Sequence, residues 1–310
     1  MRFIIDELLK FYYKRTNPEK YQEYRIQQKN QKFLNSYNNG FKGQIDEINK
    51  ALNEKNVINF KHSGHIGDLV YALPVIKEIS KTKTCNLYVR LNHSLGSKSY
   101  YKHPCSNLMI STRVFEKLQP LLSNQAYINV VEKWEDEIID VDLDLFRDFP
   151  FSKDFHSIRW YYHITGFQPN MNESFIEANF SDKFQDKIVV VRTFRGRNPI
   201  IDYSFLNQYE NLLFLGVKEE YDDFVKCVPN TEFYDVKDFL EIAAIMKSSK
   251  FVITNQTFAF ALAEGLKVNR ILEANPFNPA VFPVGDNGFD FYIQEQFEKL
   301  VQNMMNIKND

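Results

Sequence analysis

Cysteine is scarce in this chain: Cys85, Cys105 and Cys227 are the only three among 310 residues. Their number is odd, they lie far apart in the sequence, and no two of them form a CxxC pair. Neither a disulfide framework nor a zinc ribbon is therefore indicated. A reducing, cytoplasmic compartment is expected.

An excess of positive charge is also lacking. The 38 Lys and Arg residues against 40 Asp and Glu residues give a formal net charge of −2, which does not suit a nucleic-acid partner. No stretch approaches the ~20 apolar residues of a transmembrane helix. The opening MRFIIDELLK has an apolar patch of three residues before Asp6, whereas a secretory signal needs ~7–15. We therefore expect a protein that stays inside the cell.

Residues 1–56 differ in composition from the rest of the chain and are predicted to form a helical extension. Residues 1–35 contain eight Lys and Arg residues and four Asp and Glu residues, a local net charge of +4. Two interpretations are open. The extension packs on the body as an amphipathic helix, or it makes a weak contact with the inner face of an anionic membrane through Lys10, Lys14 and Arg15.

From Val57 onward, short apolar runs alternate with amphipathic helical patterns. This alternation predicts parallel sheets with right-handed crossovers. We expect two Rossmann-like α/β domains that face a cleft, at residues 57–180 and 181–290, with a closing helix at 291–310 that crosses back to the first domain. Ligands in such sheets bind at the carboxyl ends of the strands. The predicted strands are 57–62, 85–91, 126–132, 187–194, 211–216, 231–236, 251–255 and 268–274.

The segment NFKHSGHIGDLVYALP contains the first chemically informative loop. Its predicted strand ends in a glycine loop made of Gly64, His65 and Gly67, which allows the backbone to approach a ligand closely. Asp68 then falls at the start of a helix. It fits two roles equally well, as a helix cap or as a general base that removes a proton from an acceptor hydroxyl. The glycine spacing is neither a dinucleotide fingerprint nor a P-loop.

Two loops in the second half contain groups suited to anions. Arg192, Arg195 and Arg197 follow a strand, and arginines bind diphosphate oxygens through paired hydrogen bonds. The alternative is a solvated basic loop. Further on, a buried strand ends at Asn255, and the helix that follows it opens with free amide groups and a positive dipole end. Gln256 and Thr257 add side-chain donors at this helix start. The alternative for the apolar helix that follows is a purely structural role, in which it packs its apolar face in the core.

The stretch GHIGDLVYALPVIKEI resembles the N-terminal signature of glycosyltransferase family nine, the heptosyltransferase-like enzymes. This resemblance implies the GT-B fold and makes Asp68 the catalytic base. It also implies that the stretch beginning at Asn255 binds a nucleotide diphosphate. The chain departs from the family there: Gln256, Phe258 and Ala261 stand where the family has Asp, Gly and His, so an ADP-heptose donor is not supported.

By the same resemblance, FLGVKEEYDDF matches the family's strand, glycine turn and helix before the donor helix. Gly216 and Val217 would border the nucleotide base, and Glu273 would accept hydrogen bonds from ribose hydroxyls. A DxD-like run in EDEIIDVDLDLF could suggest a divalent cation. Eight acidic residues against two basic ones over 132–148 instead favour a solvated acidic surface. We assign no metal and no cofactor.

These observations predict an inverting, metal-independent GT-B glycosyltransferase. It would move a sugar from a nucleotide-diphosphate donor to an acceptor hydroxyl, and the resemblance to family nine implies that the acceptor is a cell-surface glycan or its lipid-linked precursor. Two rival functions remain open at this point. One is a binding or scaffold protein that kept the fold and lost the donor chemistry. The other is a sugar-nucleotide epimerase built from two Rossmann-like domains.

Overall fold

A computed structural model describes residues 2–95 and 107–306 of the chain, with side chains from residue 9 onward. The chain opens with three helices: α1 (Arg2–Thr16), α2 (Pro18–Ser36) and α3 (Lys42–Glu54). A π-helical turn, Tyr37–Phe41, joins α2 to α3. None of the described helices is long and apolar enough to cross a membrane.

Among the side chains described from residue 9 onward, those of the last of these three helices pack on the body. Phe41 is the first buried side chain after residue 9, and Ile48 and Leu52 of α3 are buried as well. Helix α2 has no buried residue. The expectation that the whole extension packs on the body is therefore wrong for α2, because its apolar residues are too sparse among Lys, Gln and Asn to form a continuous face.

The first sheet has four parallel strands in the order β3-β2-β1-β4. Because β1 lies between β2 and β4, the chain reverses its direction of winding at the β1/β4 boundary, where ligands bind in open sheets. The strands are β1 (Val57–His62), β2 (Thr84–Val89), β3 (Val130–Lys133) and β4 (Val141–Asp142). The accompanying helices are α4 (Ile66–Ser80), α5 (Thr112–Ser123) and α6 (Ile158–Thr165), with a 3₁₀ turn at Leu143–Asp148.

The second sheet has six parallel strands in the order β10-β9-β8-β5-β6-β7. This is the Rossmann strand order, and its switch point lies between β5 and β8. The strands are β5 (Ile188–Val191), β6 (Leu212–Leu215), β7 (Glu232–Tyr234), β8 (Phe251–Asn255), β9 (Arg270–Glu273) and β10 (Gly288–Phe291). The helices are α7 (Lys218–Phe224), α8 (Phe239–Ser248), α9 (Phe258–Leu266) and α10 (Gln294–Asn306). Short 3₁₀ turns lie at Asp182–Phe184 and Ser204–Gln208.

The predicted fold class, two parallel-sheet α/β units with a helical extension, is confirmed. The central strands were recognisable because strands buried on both faces have continuous apolar runs, and every residue of β5, β6 and β8 is buried. Two short strands were not predicted. Strand β4 has only two residues, and β10 is exposed along most of its length.

The two sheets are joined by helix packing and not only by a linker. Helix α4 of the first unit packs on α9 of the second, and α5 packs on α8. Fully buried Leu73 of α4 and Leu262 of α9 belong to one apolar cluster that runs through both units. The linker adds to this interface, since the amides of Phe175 and Ile176 both donate to the carbonyl oxygen of Gly265, at 2.8 and 3.0 Å.

The closing helix does not cross back to the first unit. Phe297, Val301 and Met304 of α10 are buried in an apolar cluster formed by strands of the second sheet. The ring of Phe297 stacks on Phe291 at 4.1 Å and packs against Tyr203 at 4.8 Å. The predicted crossing is therefore wrong, because the apolar stripe of α10 finds its complementary surface on its own domain.

Gly265 gives a test of the interface between the two units. A Cβ atom there would lie 2.4 Å from Cγ1 of Ile176 and 2.9 Å from Cε2 of Phe175. Gly265→Ala is therefore expected to lower the free energy of unfolding by about 1–3 kcal/mol, the usual cost of overpacking a core. The measurement is urea denaturation followed by circular dichroism.

Gly43→Ala is the matched control. Gly43 also lies in a helix, but a Cβ atom added there meets nothing within 4 Å. Alanine should be neutral at this position or stabilising by up to about 1 kcal/mol. Equal effects of the two substitutions would show that the contact between Gly265 and the linker does not matter.

Candidate active site

The switch points of the two sheets face each other. The loop after β1 leads into α4, and the loop after β8 leads into α9. A Cβ atom added at Gly67 would lie 3.6 Å from both Cα and N of Phe258. The first turns of α4 and α9 are therefore in contact, and the two positive helix ends meet at the boundary between the domains.

Asp68 lies in the first turn of α4 and is half-buried. The backbone amide of His65, the N-cap residue, favours the charged form of this carboxylate and lowers its pKa, as expected for an acid in a first helical turn. Burial nevertheless raises the pKa of Asp68 to about 6, although the charges of Arg147 and Arg195 and the His65 amide oppose the shift. Asp68 therefore combines a place in the first turn of a helix with a raised pKa, and the choice between helix cap and general base stays a prediction.

One arginine from each domain bears on this carboxylate. Arg147 follows β4 in the first unit, and Arg195 follows β5 in the second. Burial and then these two charges lower the pKa of His65 to about 4. At neutral pH the imidazole of His65 in the glycine loop is therefore neutral.

A buried chain of hydrogen bonds fixes the start of α4. The amide of Gly64 donates to Nδ1 of His62 at 2.8 Å, so this nitrogen carries no proton. Nε2 of His62 donates to the Tyr161 hydroxyl at 2.9 Å, and that hydroxyl donates to the backbone oxygen of Asp68 at 2.7 Å. Burial lowers the pKa of His62 to about 4, in agreement with a neutral ring. Neither His62 nor Tyr161 was predicted to belong to the site.

The acidic run is not entirely a solvated surface. Asp142 pairs with Lys61 at 2.7 Å. Asp144 is largely shielded and pairs with Arg147, whose guanidinium also donates to the backbone oxygen of Gly64. The expectation of a solvated surface is therefore wrong for Asp144, which helps to hold the glycine loop. Within residues 2–95 and 107–306, no group of three or more His, Cys, Asp or Glu side chains could hold a metal ion.

Arg192 is committed to a buried pair within its own domain. Its guanidinium donates twice to the carboxylate of Glu273, at 2.8 and 2.9 Å, and lies over the ring of Tyr203. Glu273 is fully buried and also accepts from the Tyr203 hydroxyl at 2.9 Å and from the amide of Asn198 at 2.6 Å. Four donors thus surround the carboxylate for which the resemblance implied a ribose contact.

The remainder of the arginine loop is braced from two sides. Arg197 donates to the backbone oxygen of Thr193 at 2.9 Å and pairs with Asp223 of α7 at 2.6 Å. Asn255, fully buried at the end of β8, donates to the backbone oxygens of Thr193 and Arg195 at 3.0 and 2.6 Å. Asn255 therefore joins the two loops that were predicted to bind the donor.

The other predicted donor residues lie around these loops. Thr257 is the N-cap of α9, and its hydroxyl donates back to the carbonyl of Asn255 at 3.4 Å. Gln256 uses its amide group on the loop after β9, donating to the oxygen of Asn278 at 2.8 Å and accepting from the amide of Ala280 at 3.2 Å. Gly216 and Val217 lie between β6 and α7, and the Val217 side chain is 47% exposed.

Sequence comparison finds no relatives: no family model and no curated protein matches this chain. Solved structures do match. A glycosyl transferase family 9 protein from Veillonella parvula DSM 2008 has 13% identity and a TM-score of 0.53, covering 83% of this chain and 91% of its own. The E. coli heptosyltransferase WaaC with ADP has 10% identity and a TM-score of 0.56, covering 80% and 99%. These matches confirm the fold that the resemblance to family nine implied.

The hydroxyl of Tyr161 offers a test of how the site is held. Tyr161→Phe leaves the Asp68 carbonyl and Nε2 of His62 without their partner, so the free energy of unfolding should fall by about 1–3 kcal/mol. Tyr162→Phe is the matched control, because the Tyr162 hydroxyl is buried without a hydrogen-bond partner among the described residues. That variant should lose nothing in chemical denaturation. Comparable losses in both variants would contradict the role given to Tyr161.

The raised pKa of Asp68 predicts a pH dependence of stability. Since the folded state holds this proton more tightly than the unfolded state, the free energy of unfolding falls as pH rises from about 4 to about 6. Asp68→Asn removes this titration. The free energy of unfolding of the variant, relative to that of the wild type, should therefore rise by about 1–3 kcal/mol between pH 4 and pH 8. A difference that stays constant with pH would show that Asp68 titrates normally.

Proposed function

We propose that this protein is an inverting glycosyltransferase. It transfers a sugar from a nucleotide-diphosphate donor to a hydroxyl of a cell-surface glycan or its precursor, with Asp68 as the catalytic base. The observation that carries the proposal is a carboxyl group with a pKa of about 6 at the contact of two Rossmann-like domains. The shared fold supports it, since the similar structures are a family 9 glycosyl transferase and a heptosyltransferase with ADP.

A carboxylate with this pKa suits the chemistry. At neutral pH Asp68 is mostly ionised, yet it is a stronger base than an exposed aspartate, which matches a base to its working pH. In the proposed step, Asp68 accepts the proton of the acceptor hydroxyl. The hydroxyl oxygen attacks the anomeric carbon, the bond from that carbon to the diphosphate breaks, and the configuration inverts.

The donor side of the site is suited to a leaving diphosphate. The first amides of α9 have no carbonyl partner within the helix, and this positive end adjoins Gly67, the residue before Asp68. Arg195 brings a cation to the same place. We assign the diphosphate to the start of α9 and to Arg195, which stabilise its charge in place of a metal.

The remaining residues of the proposed donor site either shape the loop that carries Arg195 or contact the nucleotide. Arg192 and Arg197 act indirectly, because their pairs with Glu273 and Asp223 shape the loop that holds Arg195. Gly216 and Val217 remain our proposal for the edge of the base pocket. Glu273 remains a proposed ribose contact, and it would have to exchange one of its four present donors to serve as one.

A screen of nucleoside diphosphates by thermal shift tests the proposal first. A rise in melting temperature with one nucleoside diphosphate is expected, followed by transfer or hydrolysis of the matching nucleotide sugar. Asp68→Asn should keep the shift but lower turnover by about 10²–10⁴-fold, the usual share of a general base. Asp46→Asn, on the exposed face of α3, is the control and should retain full turnover.

The outcomes separate the rival functions. Nucleotide binding without any turnover would favour a scaffold protein. A change in the configuration of one sugar carbon, with the sugar still attached to the nucleotide, would favour an epimerase. Near-normal turnover of Asp68→Asn would reduce Asp68 to a helix cap.

A further inference from the structure

The helices at the start of the chain leave a long surface uncovered. We call residues 9–40, the described part of α1 with α2 and the turn that follows, the arm. No side chain of the arm is buried, and every residue from 25 to 36 is exposed. Ile26, Phe33 and Leu34 are exposed by 58%, 39% and 48%. Helices gain most of their stability from packing an apolar face, so this surface calls for a partner.

The arm is a folded unit with a defined attachment. Asn17 interrupts the helix between α1 and α2 and caps α2 by accepting from the amide of Lys20 at 3.0 Å. The rings of Tyr13 and Tyr24 then meet across the break at 6.1 Å. At the other end, Phe41 anchors the arm in the first domain, where its ring packs edge-on against Phe149 at 5.6 Å.

Charge separates the arm from the body. Residues 9–40 contain seven Lys and Arg residues and two Asp and Glu residues, so the arm carries +5. The whole chain carries −2, which leaves −7 for all other residues. From Tyr24 to Ile45 there is no acidic residue at all. A helical surface this basic attracts anions and repels a second arm.

Cationic and apolar groups are mixed along the arm. The guanidinium of Arg15 lies 4.1 Å from the ring centroid of Phe11, and that of Arg25 lies 5.7 Å from that of Tyr21. Phe11 itself is 56% exposed. Such a mixture suits the headgroup layer of an anionic membrane, where the cations meet phosphates and single exposed rings lie beside them.

We propose that the arm docks this protein on a membrane surface that contains anionic lipid. The 19 residues of α2 span about 28 Å, so its cations can contact several anionic headgroups at once. This docking is independent of the transfer reaction, and it would bring the active site to acceptors held at a membrane.

Sedimentation with lipid vesicles tests the proposal on the full-length protein. The protein should sediment with vesicles of phosphatidylcholine and phosphatidylglycerol at about 0.1 M salt and be released at about 1 M salt. It should not sediment with pure phosphatidylcholine. A triple variant, Arg25→Glu with Lys29→Glu and Lys32→Glu, should bind at least about tenfold more weakly.

A second triple variant controls for total charge. Arg113→Glu, Lys247→Glu and Lys299→Glu change the net charge by the same −6, but at exposed positions outside the arm. This control should bind as the wild type does. The double variant Ile26→Ser and Phe33→Ser should also weaken binding by at least about threefold, because it removes the apolar part of the contact.

Folding and assembly are checked on the same samples. The arm contributes no buried side chain, so the arm variants should keep the melting temperature of the wild type. The proposal is overturned if the wild type ignores anionic vesicles, or if both triple variants lose binding equally. It is also overturned if light scattering shows that the wild type is an oligomer and the arm variants are monomers, since the arm would then bind the acidic body of another copy.

Discussion

The packing of α4 against α9 is the contact on which the rest of this structure depends. Each helix starts at the switch point of its own sheet, so joining their first turns brings the two ligand-binding edges together. A small residue is required at one end of the interface, where a Cβ atom on Gly265 would clash with Ile176 of the linker. At the other end, Gly67 lies against the backbone of Phe258, where an added Cβ atom would make ordinary van der Waals contact.

This contact also sets the electrostatics of the candidate site. Two helix ends of the same sign and two arginines converge on Asp68, yet burial dominates and its pKa rises. A carboxyl group removed from water prefers its neutral form unless its partners compensate fully. The arginines compensate only in part, because Arg147 is also bound to Asp144 and Gly64. The candidate site thereby keeps a carboxyl group whose pKa is raised by its burial at the contact of the two domains.

Four charged groups of the second domain are paired, whereas those of the arm are exposed to solvent. Two ion pairs shape the second domain: a buried one between Arg192 and Glu273 and a half-buried one between Arg197 and Asp223. Breaking such a pair leaves an uncompensated charge, which is costly inside a protein. Arg195 is carried on the loop that these pairs hold. The arm lies at the opposite extreme, since its cations face solvent and impose nothing on the packing of the body.

Much of the architecture was determined by the sequence alone. Buried parallel strands have continuous apolar runs, so β5, β6 and β8 were predicted within a few residues of their observed ends. Strand β1, whose burial alternates, was also predicted with its observed ends. The glycine loop and Asp68 were found because a strand, two glycines and an acid at a helix start form a local pattern. Local patterns are legible because all their parts lie within one turn of the chain.

Tertiary structure decided everything that depends on distant residues. Tyr161 supports Asp68 from 93 positions away, and Glu273 engages Arg192 across 81, separations at which no spacing rule applies. The stripe on α10 specified that one face is buried, but not that the second sheet would cover it. The acidic run concealed Asp144 for the same reason. From the sequence an acidic residue is expected to be solvated, but the fold brings Arg147 and the glycine loop against Asp144. Only the tertiary structure determines which charged groups meet.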